Sequence, residues 1–325
     1  MSKFKVLLTD YAWPNLDIER QTLATIDAEL IVAPSGEVAT LTVLAADADA
    51  IMTNWAKVPA AVIDAAPRCR IVARLGIGLD NIDVEAATRR RMLVTNVPDY
   101  CLIEVAEHAL ALILALGRKV GFYHHETKSG RYELKAGAVL RRMEGQTLGI
   151  IGLGNIGRTL AGKALGLGLK VVATSRTQRA SMPGVTRVSL DELLSQSDYV
   201  SLHLPVTSET RHMIGAAQFA RMKPTAYLVN TARGGLIDNA ALAAALKAGR
   251  LAGAGLDVQD PEPPGLSLPP WNHPRVIVTP HAAFVSEESL ANLRLRVSRQ
   301  VTAVLSGSRP ENVVNAAALA DAPAR

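Results

Sequence analysis

One short segment, Thr147–Arg158, constrains the fold of this chain more than any other feature. It reads TLGIIGLGNIGR, a short apolar strand followed by a G-x-G-x-x-G turn and the beginning of a helix. Gly152 permits a tight turn, Gly154 lets backbone amides approach a pyrophosphate, and Gly157 lets the helix pack closely on the strand. The helix N-terminus adds unpaired N–H groups and a positive dipole end. The segment predicts a dinucleotide site, and the alternative is an ordinary structural turn.

The position of this turn predicts a second folded unit. About 145 residues precede it, and a length of 325 residues suggests about two domains. The most apolar helical stretch, Ala109–Leu116, is shorter than the ~20 residues that cross a bilayer, so no membrane contact is expected. The N-terminus resembles no signal peptide, and the cytoplasm is the expected location. A net charge of +5 and an aromatic content of 4% argue against a nucleic-acid partner.

Strand-like and helix-like runs alternate both before and after the glycine turn. This alternation predicts an α/β fold of two doubly wound parallel-sheet domains, Rossmann- or flavodoxin-like, with a cleft between them. The last helix is expected to cross back and complete the packing of the first domain. We therefore predict a substrate domain at 1–100 plus 286–325 and a dinucleotide-binding domain at 101–285. The polar, basic segment 119–145 is predicted to be a loop.

Three polar residues follow the ends of three successive strands in the second domain: Arg233, Glu262 and His281. Ligands bind at the carboxyl ends of the strands in open parallel sheets, so the three are expected to converge. Arg233 suits binding a carboxylate and polarising a carbonyl, and His281 suits transferring a hydroxyl proton. Glu262 can hold the imidazole by a hydrogen bond. Each residue alone could be an ordinary surface residue, but together they predict a catalytic site for reversible hydride transfer.

The end of the second strand bears on the choice of cofactor. An NAD site needs a carboxylate about 20 residues after the glycines to hold the ribose diol. Here the strand runs into Ser175, Arg176 and Thr177, and the next acid along the chain is Asp191. These three residues could hold a 2′-phosphate, so NADP(H) is favoured. The alternative is a solvated loop in a site that accepts NAD(H).

These motifs resemble the D-isomer-specific 2-hydroxyacid dehydrogenase family. The matching stretches are Gly152–Gly157, Asn230–Gly235, Asp257 with Glu262, and Thr279–His281. The resemblance runs from about residue 6 to 315, and further stretches look like the branch with bacterial relatives of the C-terminal binding proteins. It implies an NAD(P)-dependent enzyme that interconverts small 2-oxo and D-2-hydroxy acids, with glyoxylate and hydroxypyruvate as leading candidates. The alternative is an NAD(H)-sensing, corepressor-like binding protein with little turnover.

The resemblance also implies further site residues. Asp257 would hold the nicotinamide amide, and Arg74 would contact substrate beside backbone N–H groups of a turn containing Ile77 and Gly78. Phe284 stands where animal members carry a tryptophan, which leaves the pocket shape open. The other implied cofactor contacts are Asn155, Ile156, His203, Pro205, Thr231 and Ala232. A homodimer with the helix after residue 100 in its interface is implied. No metal site is expected, and His108 is interpreted as structural.

Overall fold

The computed structural model describes residues 3–137, 139–176 and 180–317. The chain divides into two compact units. The first unit comprises the described residues up to Tyr100 together with those from Ser286 onward, and the second comprises those from Cys101 to Val285.

The first unit is built on a parallel sheet of five strands: β1 (Phe4–Leu8), β2 (Ala28–Val32), β3 (Ala50–Thr53), β4 (Ile71–Arg74) and β5 (Leu93–Thr95). They lie in the order β2-β1-β3-β4-β5, which is the flavodoxin-like arrangement. Every residue of β3 and β4 is buried, as expected for short apolar runs covered on both faces. The connecting helices are α1 (Asp17–Ala24), α2 (Val38–Ala45), α3 (Ala60–Asp64) and α4 (Val84–Arg89).

The second unit contains a parallel sheet of seven strands: β6 (Thr147–Ile151), β7 (Lys170–Thr174), β8 (Val185–Arg187), β9 (Tyr199–Leu202), β10 (Tyr227–Asn230), β11 (Gly253–Leu256) and β12 (Val276–Val278). Its helices are α5 (Leu102–Gly117), α6 (Val120–Lys128), α7 (Asn155–Gly166), α8 (Leu190–Gln196), α9 (Ala216–Arg221) and α10 (Asn239–Lys247). The sheet order is β12-β11-β10-β9-β6-β7-β8. The order therefore reverses between β6 and β9, and a ligand crevice is expected at the carboxyl ends of these strands.

The last helix, α11 (Glu287–Leu305), packs against α1 of the first unit. The Ser286 hydroxyl caps it by accepting a hydrogen bond from the Ser289 N–H at 2.9 Å. Two buried charges then join the helices: Arg294 Nε and Nη2 donate to Oε1 and Oε2 of Glu19, each at 2.8 Å. Because an unpaired buried charge is costly, this bidentate pair fixes where α11 lies on α1.

The predicted fold class, two doubly wound parallel sheets, is confirmed. The prediction of a loop over 119–145 is wrong in part, because α6 occupies Val120–Lys128. This helix buries only Glu126, so it lacks the apolar stripe by which a helix is recognised in a sequence. The edge strands β2 and β8 were not predicted either, and neither is fully buried. Among the described residues, no helix combines the length and the apolar character needed to cross a membrane.

Candidate active site

The glycine turn joins β6 to α7 at the point where the strand order reverses. Gly152 has φ +102°, and a Cβ there would lie 2.1 Å from the carbonyl oxygen of His203, which follows β9. A Cβ on Gly157 would lie 2.3 Å from the Gly152 carbonyl oxygen. Side chains are thus excluded from both positions by backbone atoms, and the turn is held close to the end of β9.

The same turn has space where a pyrophosphate would lie. Gly154 is the N-cap of α7, and a Cβ on it would meet no protein atom within 4 Å. Nearby in the sheet order, Thr231 follows β10, and its hydroxyl is buried with no hydrogen-bond partner among the described residues. A buried polar atom normally has a partner, so this hydroxyl suits a bound ligand. An open glycine at a helix N-terminus and an unsatisfied hydroxyl together fit a dinucleotide.

His203 and Pro205, both implied as cofactor contacts, lie after β9. Burial lowers the pKa of His203 to about 4, so its imidazole is neutral at physiological pH. Its Nε2 lies 2.8 Å from the Ser201 hydroxyl. The segment therefore presents a neutral surface beside the glycine turn rather than a positive charge.

The predicted trio follows β10, β11 and β12, which are neighbours in the sheet. His281 Nδ1 lies 3.0 Å from Glu262 Oε2, and the other carboxylate oxygen, Oε1, accepts the Gln259 N–H at 2.8 Å. Arg233 donates from Nη1 to the Ala232 carbonyl at 2.7 Å, and its charge acts on Glu262. The structure thus brings the arginine, the carboxylate and the imidazole to one edge of the sheet.

The ionisation of Glu262 follows from these neighbours. Burial alone would raise its pKa, but the hydrogen bond and charge of His281, the Gln259 N–H and the charge of Arg233 together lower that pKa below its ordinary value. Glu262 is therefore a carboxylate at neutral pH. Since a carboxylate only accepts hydrogen bonds, the hydrogen between the two side chains is on Nδ1 of His281.

Asp257, at the end of β11, holds the backbone around the histidine. Its side chain is fully buried, and its oxygens accept from the N–H groups of Ala282 and Ala283, each at 2.9 Å. Its own carbonyl accepts the His281 N–H at 2.8 Å. His281 has φ +54°, a left-handed conformation that costs a non-glycine residue roughly 1–2 kcal/mol. Asp257 thus stabilises an unfavourable backbone geometry that directs the imidazole.

Two further side chains make contacts near His281, one implied as a substrate contact and one interpreted from the sequence as structural. Phe284, an implied substrate contact, packs edge-on against the His281 ring, with centroids 6.1 Å apart at 84°. His108 on α5, interpreted from the sequence as structural, reaches Thr279 Oγ1 at 3.0 Å. A single imidazole among the apolar residues of α5 is a sign that the side chain has a polar partner. The sequence does not indicate that this partner is Thr279.

The residues implied for the cofactor phosphate are only partly described. Ser175 and Arg176 follow β7, whereas Thr177 lies outside the described residues. The Arg176 guanidinium pairs with the Glu209 carboxylate, and the two side chains are 76% and 70% exposed. Exposed pairs of this kind contribute little stability, so Arg176 can exchange this partner for another anion at small cost.

The predicted substrate residues Arg74, Ile77 and Gly78 belong to the first unit. Arg74 is buried; its Nη1 donates to the Leu75 carbonyl at 2.6 Å and its Nε to the Gly78 carbonyl at 3.0 Å. This arginine therefore braces the turn, a role that the sequence did not indicate. Within the described part of the chain, the N–H groups of Ile77 and Gly78 donate to no protein acceptor, which leaves them able to bind an anion.

A cavity of about 470 Å³ in the second unit lies at the opposite, amino-terminal edge of the sheet. Tyr199, Tyr227 and Ile277 line it where β9, β10 and β12 begin or pass. It includes none of the predicted site residues and is separate from the edge that carries His281. The described residues contain no group of three or more His, Cys, Asp or Glu side chains placed to hold a metal ion.

The fold and this site define a dinucleotide-dependent oxidoreductase. A family model described as "D-isomer specific 2-hydroxyacid dehydrogenase, NAD binding domain" matches residues 110–283. The chain is 40% identical over 276 residues to a glyoxylate reductase of Korarchaeum cryptofilum, a match that covers 83% of each chain. It is also 40% identical over 270 residues to a D-3-phosphoglycerate dehydrogenase of Archaeoglobus fulgidus, covering 82% of this chain but only 51% of that relative.

Solved structures of nicotinamide-dependent oxidoreductases resemble this chain as well. A D-lactate dehydrogenase from Aquifex aeolicus, complexed with NAD and lactic acid, superposes with a TM-score of 0.84 at 29% identity, covering 93% of this chain and 96% of that one. An acyclic imino acid reductase in complex with NADPH and D-Arg superposes with a TM-score of 0.84 at 26% identity, covering 95% and 99%.

This chain belongs to the D-isomer specific 2-hydroxyacid dehydrogenase family. It is an oxidoreductase that uses a nicotinamide cofactor to interconvert 2-oxo and 2-hydroxy acids, which confirms the predicted reaction class. The relatives reported above are dehydrogenases and reductases, and none of them supports the corepressor-like alternative.

Proposed function

We propose that this enzyme reduces a small 2-oxo acid such as glyoxylate or hydroxypyruvate to the D-2-hydroxy acid, with NADPH as the preferred donor. The observation that carries the proposal is the 3.0 Å pair between His281 Nδ1 and Glu262 Oε2, with Arg233 acting on the same carboxylate. The glyoxylate reductase of Korarchaeum cryptofilum supports the substrate class.

The roles of the trio follow from their hydrogen bonds. Glu262 accepts the Nδ1–H of His281, so the other ring nitrogen, Nε2, is the one that holds and releases the exchanged proton. Arg233 binds the substrate carboxylate and polarises the adjacent carbonyl with its guanidinium charge.

The cofactor would be held along the carboxyl edge of the second sheet. The turn at Gly152 and Gly154, with Asn155 and Ile156 in the first turn of α7, would bind the pyrophosphate, and the buried Thr231 hydroxyl would gain a partner. His203, Pro205 and Ala232 would line the rest of the site, whereas the buried Asp257 carboxylate is taken up by protein donors. When bound, the nicotinamide supplies the hydride that reduces the 2-oxo carbon.

The preference for NADPH rests on the loop after β7. No acid stands at Ser175 or Arg176 to repel a 2′-phosphate, and the Arg176 guanidinium forms an exposed ion pair with Glu209. A phosphate would bind the guanidinium by charge-assisted hydrogen bonds. Replacing Arg176 by Ala and Ser175 by Asp should raise the KM for NADPH far more than the KM for NADH. Equal effects on the two cofactors would contradict the phosphate-binding role.

We assign the substrate-binding role to the first unit and the dinucleotide-binding role to the second. The N–H groups of Ile77 and Gly78, which have no acceptor among the described residues, support a carboxylate site in the turn that Arg74 braces. Phe284, packed on His281, would limit the size of the substrate side chain.

We further propose a homodimer. Three large apolar side chains, Tyr132, Leu134 and Val139, are 93%, 83% and 85% exposed in one short segment, and Ile103 on α5 is 57% exposed. Clustered exposed apolar groups are typical of interfaces. Sedimentation equilibrium should give twice the monomer mass of 34.5 kDa, and a monomer would contradict the proposal. We also propose a cytoplasmic location, because the Cys69 thiol is buried and free, as is usual in a reducing compartment.

The decisive experiment is a panel of 2-oxo acids assayed with NADPH and NADH by absorbance at the nicotinamide band. We expect glyoxylate or hydroxypyruvate to give the highest kcat/KM. His281→Asn should lose turnover and still bind NADPH. Tight cofactor binding with slow turnover on every acid would instead favour the sensing protein.

A further inference from the structure

His108 lies outside the predicted trio, yet its imidazole faces the back of the His281 loop. It is part of α5, and its side chain is 25% exposed. Its Nε2 lies 3.0 Å from Thr279 Oγ1 and 3.4 Å from Asp257 Oδ1. Two elements distant in sequence, α5 and the segment after β12, therefore meet through this side chain.

The direction of these hydrogen bonds is determined by the partners. Thr279 Oγ1 donates its one hydrogen to Asp257 Oδ1 at 2.6 Å. Having used its hydrogen, the hydroxyl can only accept from His108, so Nε2 of His108 carries a hydrogen. The contacts form a chain of donors that runs from His108 through Thr279 to the Asp257 carboxylate. Such chains polarise and orient each member.

The hydrogen-bond chain ends at the Asp257 carboxylate, which shapes the loop that carries His281. The Asp257 side chain accepts the N–H groups of Ala282 and Ala283, and its backbone carbonyl accepts the N–H of His281. His281 itself has a left-handed backbone at φ +54°, which local preference disfavours. The loop therefore depends on how firmly the Asp257 carboxylate is held.

We propose that His108 is a positioning residue for His281. Its Nε2–H orients the Thr279 hydroxyl toward Asp257, and this keeps the backbone of 281–283 in the geometry that presents the imidazole to substrate. His108 acts through other residues, so its loss should change kcat more than substrate binding. The proposal rests on the proposed function of His281 as the acid–base group.

Three variants test the hydrogen-bond donor. His108→Leu removes it at similar volume, His108→Gln returns an N–H donor, and Thr279→Val removes the middle hydroxyl. With NADPH and glyoxylate, we expect His108→Leu to lower kcat about tenfold, since small misplacements near reacting groups can cost as much as 100-fold. The KM for glyoxylate and the Kd for NADPH should stay within about threefold. His108→Gln should recover most of kcat. The double variant His108→Leu with Thr279→Val should have the same kcat as Thr279→Val alone.

The outcomes separate the proposals. Equal losses in the Leu and Gln variants, unchanged kcat in the Leu variant, or additive losses in the double variant would each overturn the role of His108. His281→Asn is the control for the proposed function, which fails if that variant keeps wild-type turnover. In that case, ¹⁵N NMR of the imidazoles still tests the hydrogen bonds from His108 through Thr279 to Asp257. Nε2–H at His108, and its sensitivity to Thr279→Val, would support the hydrogen-bond chain, and an Nδ1–H tautomer would refute it.

Discussion

Two neighbouring glycines of the turn after β6 should respond in opposite ways to the addition of a single methyl group. At Gly154 the backbone is extended, with φ −76° and ψ −161°, and the new Cβ would meet no protein atom within 4 Å. At Gly152 φ is +102°, and the new Cβ would lie 2.1 Å from a backbone oxygen. Alanine at position 154 should therefore fold normally, whereas alanine at position 152 should not.

The magnitudes follow from these surroundings. For Gly154→Ala we expect the free energy of unfolding to fall by less than about 1 kcal/mol, the difference between glycine and alanine at an N-cap. The methyl group would occupy space needed by the pyrophosphate, at a cost of about 1–3 kcal/mol. The Kd for NADPH should then rise about 5- to 150-fold. For Gly152→Ala, the disfavoured φ and the clash together should cost about 2–5 kcal/mol of stability.

Urea denaturation and a fluorescence titration with NADPH measure the two effects separately. Gly166→Ala is the matched control, because this residue ends the same helix, α7, and its added Cβ also meets no atom within 4 Å. It should leave the Kd for NADPH unchanged. Wild-type affinity in a folded Gly154→Ala variant would refute the phosphate site at this turn, and wild-type stability in Gly152→Ala would refute the steric argument.

Three other predictions concern single carboxylates. Glu209→Gln should free Arg176 and remove a negative charge, so the ratio of kcat/KM for NADPH over NADH should rise, and an unchanged ratio would separate Arg176 from the 2′-phosphate. Glu19→Gln should lower the free energy of unfolding by about 3–5 kcal/mol in urea titrations, because it leaves the buried charge of Arg294 uncompensated; a loss below about 1 kcal/mol would contradict this. The pKa of Glu262 is lowered in the folded chain, so its stabilising contribution is complete above its unfolded pKa of about 4.3 and disappears as pH falls through the lower folded value. Urea titrations of wild type and Glu262→Gln should therefore converge as pH falls below about 4.3, and a gap that widens with acid would reverse the assigned sign.

Features that arise from local sequence were predictable. The turn at Gly152 and its flanking strand and helix are encoded in one continuous pattern, and so is the capping box that begins α8 at Ser189. The sheets followed from the alternation of apolar runs, because a strand buried on both faces is apolar along its whole length. The edge strands β2 and β8 and the helix α6 are partly exposed, so they lack that signature.

The direction in which a side chain points was not predictable in the same way. The family resemblance implies that Arg74 contacts substrate, and in the structure its Nε and Nη1 donate to carbonyls of its own turn. A guanidinium has five donors, and only the folded arrangement decides which of them serve the protein and which are left for a ligand. The sequence therefore could not show that the arginine supports this turn.

The sequence indicates the position of His281 but not the backbone conformation that orients its side chain. Its type and its place after β12 indicate an acid–base group, but no local preference predicts a left-handed histidine. That conformation is stabilised by Asp257, whose partners come from 22 to 26 residues further along the chain. They meet because β11 and β12 are adjacent in register. The chemistry of the site thus depends on the residue types at single positions, whereas the orientation of the His281 side chain depends on strand pairing. This is why a residue as distant in sequence as His108 can affect that orientation.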